Sequence, residues 1–168
     1  SIVRISTVGI AGVETIFIVL ILVGRALGAR MGFLLGLLTI AVSSIVMGSI
    51  GPWTPFQMFA AAWVGAGAGL LPWHRLRGWR ELALLAGYGL IAAYLFGALM
   101  NLWFWPFAVG SQTSISYLAG AAPLENFSRF GLYTLMTSTL TWDTVRALTT
   151  VVGIAVVGRF VLRALRRV

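Results

Sequence analysis

Long apolar runs fill this chain, and arginines occupy every second gap between them. Arg25 and Arg30 lie in one gap, Arg75, Arg77 and Arg80 in another, and Arg159, Arg163, Arg166 and Arg167 at the C-terminal end. The alternate gaps hold aromatic and uncharged polar residues, Gly51-Pro52-Trp53-Thr54-Pro55-Phe56-Gln57 and Trp103-Phe104-Trp105-Pro106-Phe107. Lys and Arg collect in cytoplasmic loops of membrane proteins, so the alternation implies an orientation as well as a class. A multi-pass plasma-membrane protein with a cytoplasmic C-terminus is expected, with nine of the twelve basic residues facing the cell interior.

At 60% apolar and 10% charged, the 168 residues carry more apolar surface than one soluble core could bury. The net charge of +8 sits at the ends of apolar runs and not along one exposed face, which fits membrane anchoring and excludes nucleic acid as the expected partner. Without cysteine there is no disulfide, thiolate metal site or thiol nucleophile, and the single histidine, His74, lies in a basic loop. Lysine is also missing, so a phosphate-binding glycine loop of the usual nucleotide-hydrolysing kind is excluded. No metal-spaced ligand set and no nucleophile with a histidine base is visible, so the expectation is a protein that is not an enzyme and holds no metal or cofactor of its own.

The runs cover 9–27, 31–50, 55–71, 82–101 and 143–165, which predicts an all-α polytopic bundle of five spans forming one transmembrane domain. Each is near the length that crosses about 30 Å of hydrocarbon at about 1.5 Å per residue, the third being close to the lower limit. Between Leu102 and Trp142 the pattern breaks at Pro106, Gly110, Gly120 and Pro123, leaving only Leu124–Leu140 able to form a helix. This segment is either a sixth span or an outer-side amphipathic lid. A span would put the C-terminal arginines on the opposite side from the other two clusters, so a lid within an outer segment 102–142 is expected. Ser1–Val8 reads like the tail of a longer element, and no cleavable signal pattern is visible.

Small residues recur four apart at Gly32 and Gly36, at Ala61, Gly65 and Gly69, and at Ala93 and Gly97, so each set shares a helix face that lets another backbone approach. They serve packing inside the bundle or docking of another membrane subunit. Gly32, Gly36, Ala61, Gly65 and Gly69 are the docking candidates.

Conspicuous side chains gather on the expected outer side: Glu14, Trp53, Phe56, Gln57, Asn101, Trp103, Trp105, Tyr117, Glu125, Arg129, Tyr133, Trp142, Asp143 and Arg146. Trp and Tyr there form an interface belt or, at this density, the aromatic walls of a pocket for a ring-containing small molecule. Asp143 can cap the start of a helix or contact a ligand. Glu14 has no obvious structural partner and is the better ligand candidate.

Two stretches, Gly51–Met58 running into Ala60–Gly65, and Asn101–Phe107, resemble substrate-binding S components of energy-coupling factor (ECF) vitamin transporters. Leu124-Glu125-Asn126, Thr137-Ser138 and Trp142-Asp143 resemble the same group. The resemblance implies six membrane helices, with the first upstream of Ser1, and a vitamin or related micronutrient captured from outside. It also implies a transmembrane coupling subunit and two ABC-type ATPases as partners, either separate or fused in one polypeptide, where ATP and Mg would act. Delivery would be by reorientation in the membrane. On this resemblance Trp53, Phe56 and Gln57 lie near the pocket, and Trp103, Trp105, Glu125 and Asn126 belong to its cover. Asn101, Arg129, Trp142 and Asp143 complete the expected substrate-binding set. A ligand-free structural or assembly membrane protein is the alternative, with a membrane-embedded enzyme third.

Overall fold

The computed structural model describes the backbone of residues 2–72, 76–108 and 113–167, with side chains from residue 15 onward. Its regular elements are all helices: α1 (Ile2–Leu27), α2 (Ala29–Val46), α3 (Thr54–Leu70), α4 (Trp79–Ala108), α5 (Pro123–Thr134) and α6 (Thr144–Leu165). A π-helical segment, Leu135–Asp143, joins α5 to α6 without a break. Three of these helical stretches are long and apolar enough to cross a membrane: Ala29–Val46, Trp79–Phe107 and Pro123–Leu165. Large apolar side chains point outward along them, among them Val46, Phe107 and Phe160 at 79% exposure, a surface that only lipid solvates without cost. The chain is a helical membrane protein.

The gap between the first two runs is a single residue. Gly28 takes φ 96° and ψ 167°, a conformation essentially closed to residues with a Cβ, and turns α1 directly into α2 between Arg25 and Arg30. In lipid the apolar contacts of a helix pair offer little preference over acyl chains, so close backbone packing has to hold such a pair. Gly32 and Gly36 of α2 provide it by meeting Gly65 and Ala62 of α3, while Gly69 lies against Ala29. Gly24 of α1 faces the Gly65 carbonyl as well, so three helices converge on Gly65. Ala61 is 1% exposed in the same seam. This corrects the docking expectation for Gly32, Gly36, Ala61, Gly65 and Gly69: their common face is turned inward and consumed by packing within the chain.

The second correction concerns 102–142. No separate lid forms from Leu124–Leu140; α5, the π-helical segment and α6 make one continuous helix of 43 residues, Pro123–Leu165, which starts well before the expected Asp143. It runs antiparallel to α4 in steady register. Leu82 packs at Gly158, Gly89 at Thr150, Gly97 at Asp143, Asn101 bonds Ser138, and the Trp105 ring meets Phe130. Helix α4 in turn outlasts its expected end at Asn101 and continues through Pro106 to Ala108, although the proline gives up one backbone hydrogen bond of the last turn. At about 1.5 Å per residue a 43-residue helix is roughly 65 Å long, twice the hydrocarbon thickness. The part carrying Glu125, Asn126, Ser128 and Arg129 is its polar, amphipathic end.

Because Pro123–Leu165 is one helix antiparallel to α4, the ends of α1, α3 and α6 and the start of α4 all meet at the arginine-rich end. Between the two ends lies the core. Phe17, Leu20, Ile21 and Leu22 place α1 at its centre against Ala68 of α3, Leu82 and Leu85 of α4 and Ile154 of α6. Phe17 meets Phe96 edge to face at 5.2 Å.

Candidate functional site

Two polar constellations interrupt the apolar core. The first stands where α4 meets the π-helical segment. Asp143 is 1% exposed and sits against the Cα of Gly97, a place where any β-carbon would collide with the carboxylate. Arg146 donates from Nη1 to Asp143 Oδ1 at 2.8 Å, and Ser138 donates from its hydroxyl to Oδ2 at 2.7 Å. Asn101 extends the chain by donating from Nδ2 to Ser138 Oγ at 2.6 Å. The guanidinium of Arg146 lies 5.1 Å from the Phe96 ring centroid and 5.7 Å from that of Phe17, and the rings' negative faces favour it. Arg146 Nε is buried without a hydrogen-bond partner among the described residues. A π-helical turn widens the backbone and re-aims side chains; here it brings Ser138 and Asp143 to the same face toward α4. Beside them Tyr94 and Thr144 share a hydrogen bond of 3.0 Å.

Above this cluster the aromatic residues divide into two groups. Phe56 at the start of α3 packs on Trp103 of α4 at 5.1 Å, and Trp103 stacks on Phe104 at 6.0 Å. Trp53 and Phe56 are each 42% exposed, Gln57 is half-buried, and Trp142 is exposed on the π-helical segment. Trp105 differs from these in being buried. Its ring contacts Tyr117 and Phe130 at 5.4 Å, and its indole donates to the Ile115 carbonyl at 2.7 Å.

Asn126 acts on the same loop, accepting from Leu118 N at 3.0 Å and donating to Leu118 O at 2.8 Å. Arg129 bonds Glu125 and donates to the Thr113 carbonyl at 3.0 Å. Trp105, Asn126, Glu125 and Arg129 thus tie residues 113–118 down over the aromatic end. Asn126→Ala removes both bonds to Leu118, and faster amide hydrogen exchange of residues 113–118 is the expected result; two bonds of about 1 kcal/mol each correspond to a rise on the order of tenfold or more.

Of the expected binding residues, the structure brings Asn101 and Asp143 into one polar cluster, Phe56 and Trp103 into one aromatic face, and Trp105, Glu125, Asn126 and Arg129 into the loop clamp. Trp53, Gln57 and Trp142 stand at the same end without joining any of these contacts. Glu14 belongs to α1, but its side chain lies outside the described residues. A groove of about 160 Å³ between α1 and α2, lined by Thr15, Ile16, Val19, Leu20 and Thr39, contains none of the expected residues and is below the roughly 300–1,000 Å³ usual for small-molecule sites.

The second constellation escaped sequence reasoning. Glu81, 1% exposed, accepts from Arg25 Nε at 2.9 Å and from both Arg166 nitrogens, Nη1 at 3.1 Å and Nη2 at 2.6 Å. Arg25 also donates to the Leu71 carbonyl at 3.2 Å. One carboxylate therefore ties the ends of α1, α3 and α6 to the start of α4. The available signal was that Glu81 is the single acidic residue amid the arginine clusters.

Comparison with protein-family models, with characterised proteins and with solved structures returns no match to this chain.

Proposed function

We propose that this protein is the substrate-binding membrane subunit, an S component, of an ATP-driven ECF-type importer for a vitamin or related micronutrient. The observation that carries the reading is convergence. Three stretches that resemble such proteins are far apart in sequence, yet they gather at one end of the bundle. Phe56 packs on Trp103, Asn101 bonds Ser138, and Ser138 bonds Asp143, while Asn126 holds the loop above them. Flat aromatic walls over a small set of buried polar groups are the general form of a site for a ring-containing solute. On this reading the chain crosses the plasma membrane five times, with the aromatic end outside and the arginine-rich end in the cytoplasm. The solute enters beneath the clamped loop. A transmembrane coupling subunit and two ABC-type ATPases, separate or fused, supply ATP and Mg chemistry and drive reorientation.

The corrected seam at Gly65 bears on the partner's position, because the small-residue face of α2 and α3 is already occupied. The coupling subunit then meets a different surface of the bundle. The alternative, a ligand-free structural or assembly membrane protein, predicts no small-molecule response.

A thermal-shift screen of B vitamins and their precursors against purified protein tests the reading. One compound should stabilise the fold by about 2.7 kcal/mol at a hundred times its Kd. Asn101→Ala and Glu14→Gln should weaken that compound about five- to tenfold, as expected for one lost hydrogen bond of about 1 kcal/mol. No stabilisation by any such compound, with no ATPase copurifying from the native membrane, would leave the scaffold reading in its place.

A further inference from the structure

The arginine-rich end carries more positive charge than the chain itself neutralises. The sequence contains four carboxylates. Glu81 is engaged by Arg25 and Arg166, Glu125 by Arg129 and Asp143 by Arg146. Glu14 lies on α1 about three turns from Arg25, toward the opposite end. Arg80 at the start of α4 and Arg159 and Arg163 of α6 are exposed, and none of them meets a carboxylate among the described residues.

Arg159 and Arg163 lie at one corner, where α6 meets the start of α4. Leu82 of α4 packs against Gly158 of α6, and the Arg159 guanidinium lies near the turn at Gly78, where an added β-carbon would be 3.7 Å from Nη2. Arg159 and Arg163 stand four apart, one helical turn from each other on the same face. From them an apolar strip runs along α6 away from the charged end: Phe160 is 79% exposed, Val156 74% and Val152 59%. Fixed positive charge at the foot of an exposed apolar strip matches one kind of molecule in both halves, an anionic headgroup with acyl chains attached.

We propose that the corner between α4 and α6 binds an anionic phospholipid, its phosphate held by Arg159 and Arg163 and its acyl chain lying along Phe160, Val156 and Val152. This site is at the far end from the proposed solute site and does not depend on transport. Arginine suits it because a planar guanidinium forks onto phosphate oxygens and keeps its charge at the membrane surface. An acidic face of a partner protein is the other occupant the same charge could attract, but the lipophilic strip beneath the charge favours lipid.

The test uses purified protein in zwitterionic detergent micelles doped with either phosphatidylglycerol or phosphatidylcholine, with retained lipid counted by native mass spectrometry. The wild-type chain should retain phosphatidylglycerol where phosphatidylcholine is lost. Arg159→Gln with Arg163→Gln should weaken retention about thirtyfold, at roughly fivefold per arginine. Arg159→Lys with Arg163→Lys should keep most of it. As a charge-matched comparison, Arg163→Gln should lose about fivefold while Arg30→Gln, at the start of α2, stays near wild type. The substituted residues are exposed, and equal melting temperatures in phosphatidylcholine would establish that the variants fold. Equal losses from Arg30→Gln and Arg163→Gln would reduce the site to diffuse surface charge and overturn the proposal. So would the absence of any preference for phosphatidylglycerol, or unchanged retention in the double Gln variant accompanied by loss of a copurifying acidic protein.

Discussion

Glu81→Leu should destabilise the protein by about 3–5 kcal/mol, the usual consequence of removing one partner from a buried ion pair. The substitution takes from the Arg25 guanidinium, whose side chain is 1% exposed, the carboxylate that it bonds, and it frees Arg166 at the end of α6 from the same group. Thermal unfolding in mild detergent, followed by intrinsic tryptophan fluorescence, reads the loss directly. The comparison that isolates the cause is the double variant Arg25→Met with Glu81→Leu. Removing both charges removes the desolvation penalty along with the attraction, so the double variant should recover much of the lost stability. If the double variant were as unstable as Glu81→Leu alone, the loss would have to be assigned to the Arg166 contact or to packing around residue 81.

Gly65→Leu is the second large effect, expected at about 3 kcal/mol or more, toward the severe end of overpacking. A β-carbon at this position would meet the carbonyl carbon of Gly32 at 2.7 Å and its Cα at 3.0 Å, and the contacting atoms are backbone. Backbone inside a helix has no rotamer to change, so α2 and α3 must separate and release the contacts along the whole seam. The same readout should show a sharply lower melting temperature and loss of the monodisperse peak in size-exclusion chromatography. Gly87→Ala supplies the control. An added β-carbon there meets nothing within 4 Å, so helix propensity alone predicts a gain of up to about 1 kcal/mol. A destabilised Gly87→Ala would mean that glycine replacement is costly in this bundle for reasons other than close approach.

Much of the architecture was legible because lipid imposes strong, local rules. Backbone amides in hydrocarbon must be bonded within their own segment, so long apolar runs become helices wherever they occur. The ends of α2 and α3 fall within a few residues of their expected places for that reason. Small residues four apart announced close backbone approach, and the approach exists; spacing contains no information on whether the partner is the same chain or another. The lid was expected from the arginine pattern, which assigns a side to each gap and does not say whether Leu124–Leu140 joins the helix that follows it. Pro123 and the Ser- and Thr-rich stretch after it weaken helix signals, but Pro is well tolerated in a first turn. Side-chain hydroxyls such as Thr137 and Thr144 then bond carbonyls of their own helix, at Tyr133 and Thr139. A π-helical turn has no distinctive composition, so nothing in the sequence joins the Leu124–Leu140 helix to the one expected from Asp143.

The candidate site was visible as a set of residue types and invisible as a set of contacts. Asn101 and Asp143 were singled out as polar groups beside apolar runs, whereas Ser138, which connects them, is an ordinary hydroxyl among many. Glu125 and Arg129 drew attention through their charge and Asn126 through the resemblance; Asn126 and Arg129 bind the 113–118 loop, and Glu125 holds Arg129. What the sequence determined by itself is therefore the class of molecule, its helical segments and the alternation of arginine-bearing with uncharged aromatic gaps, because each follows from the transfer energy of single segments between water and lipid. The tertiary structure alone decided that the glycine seam closes within the chain, that the last helix has 43 residues, and that Glu81 binds two arginines. Those outcomes depend on which surfaces meet, and pairing is a property of geometry between segments that no single segment encodes.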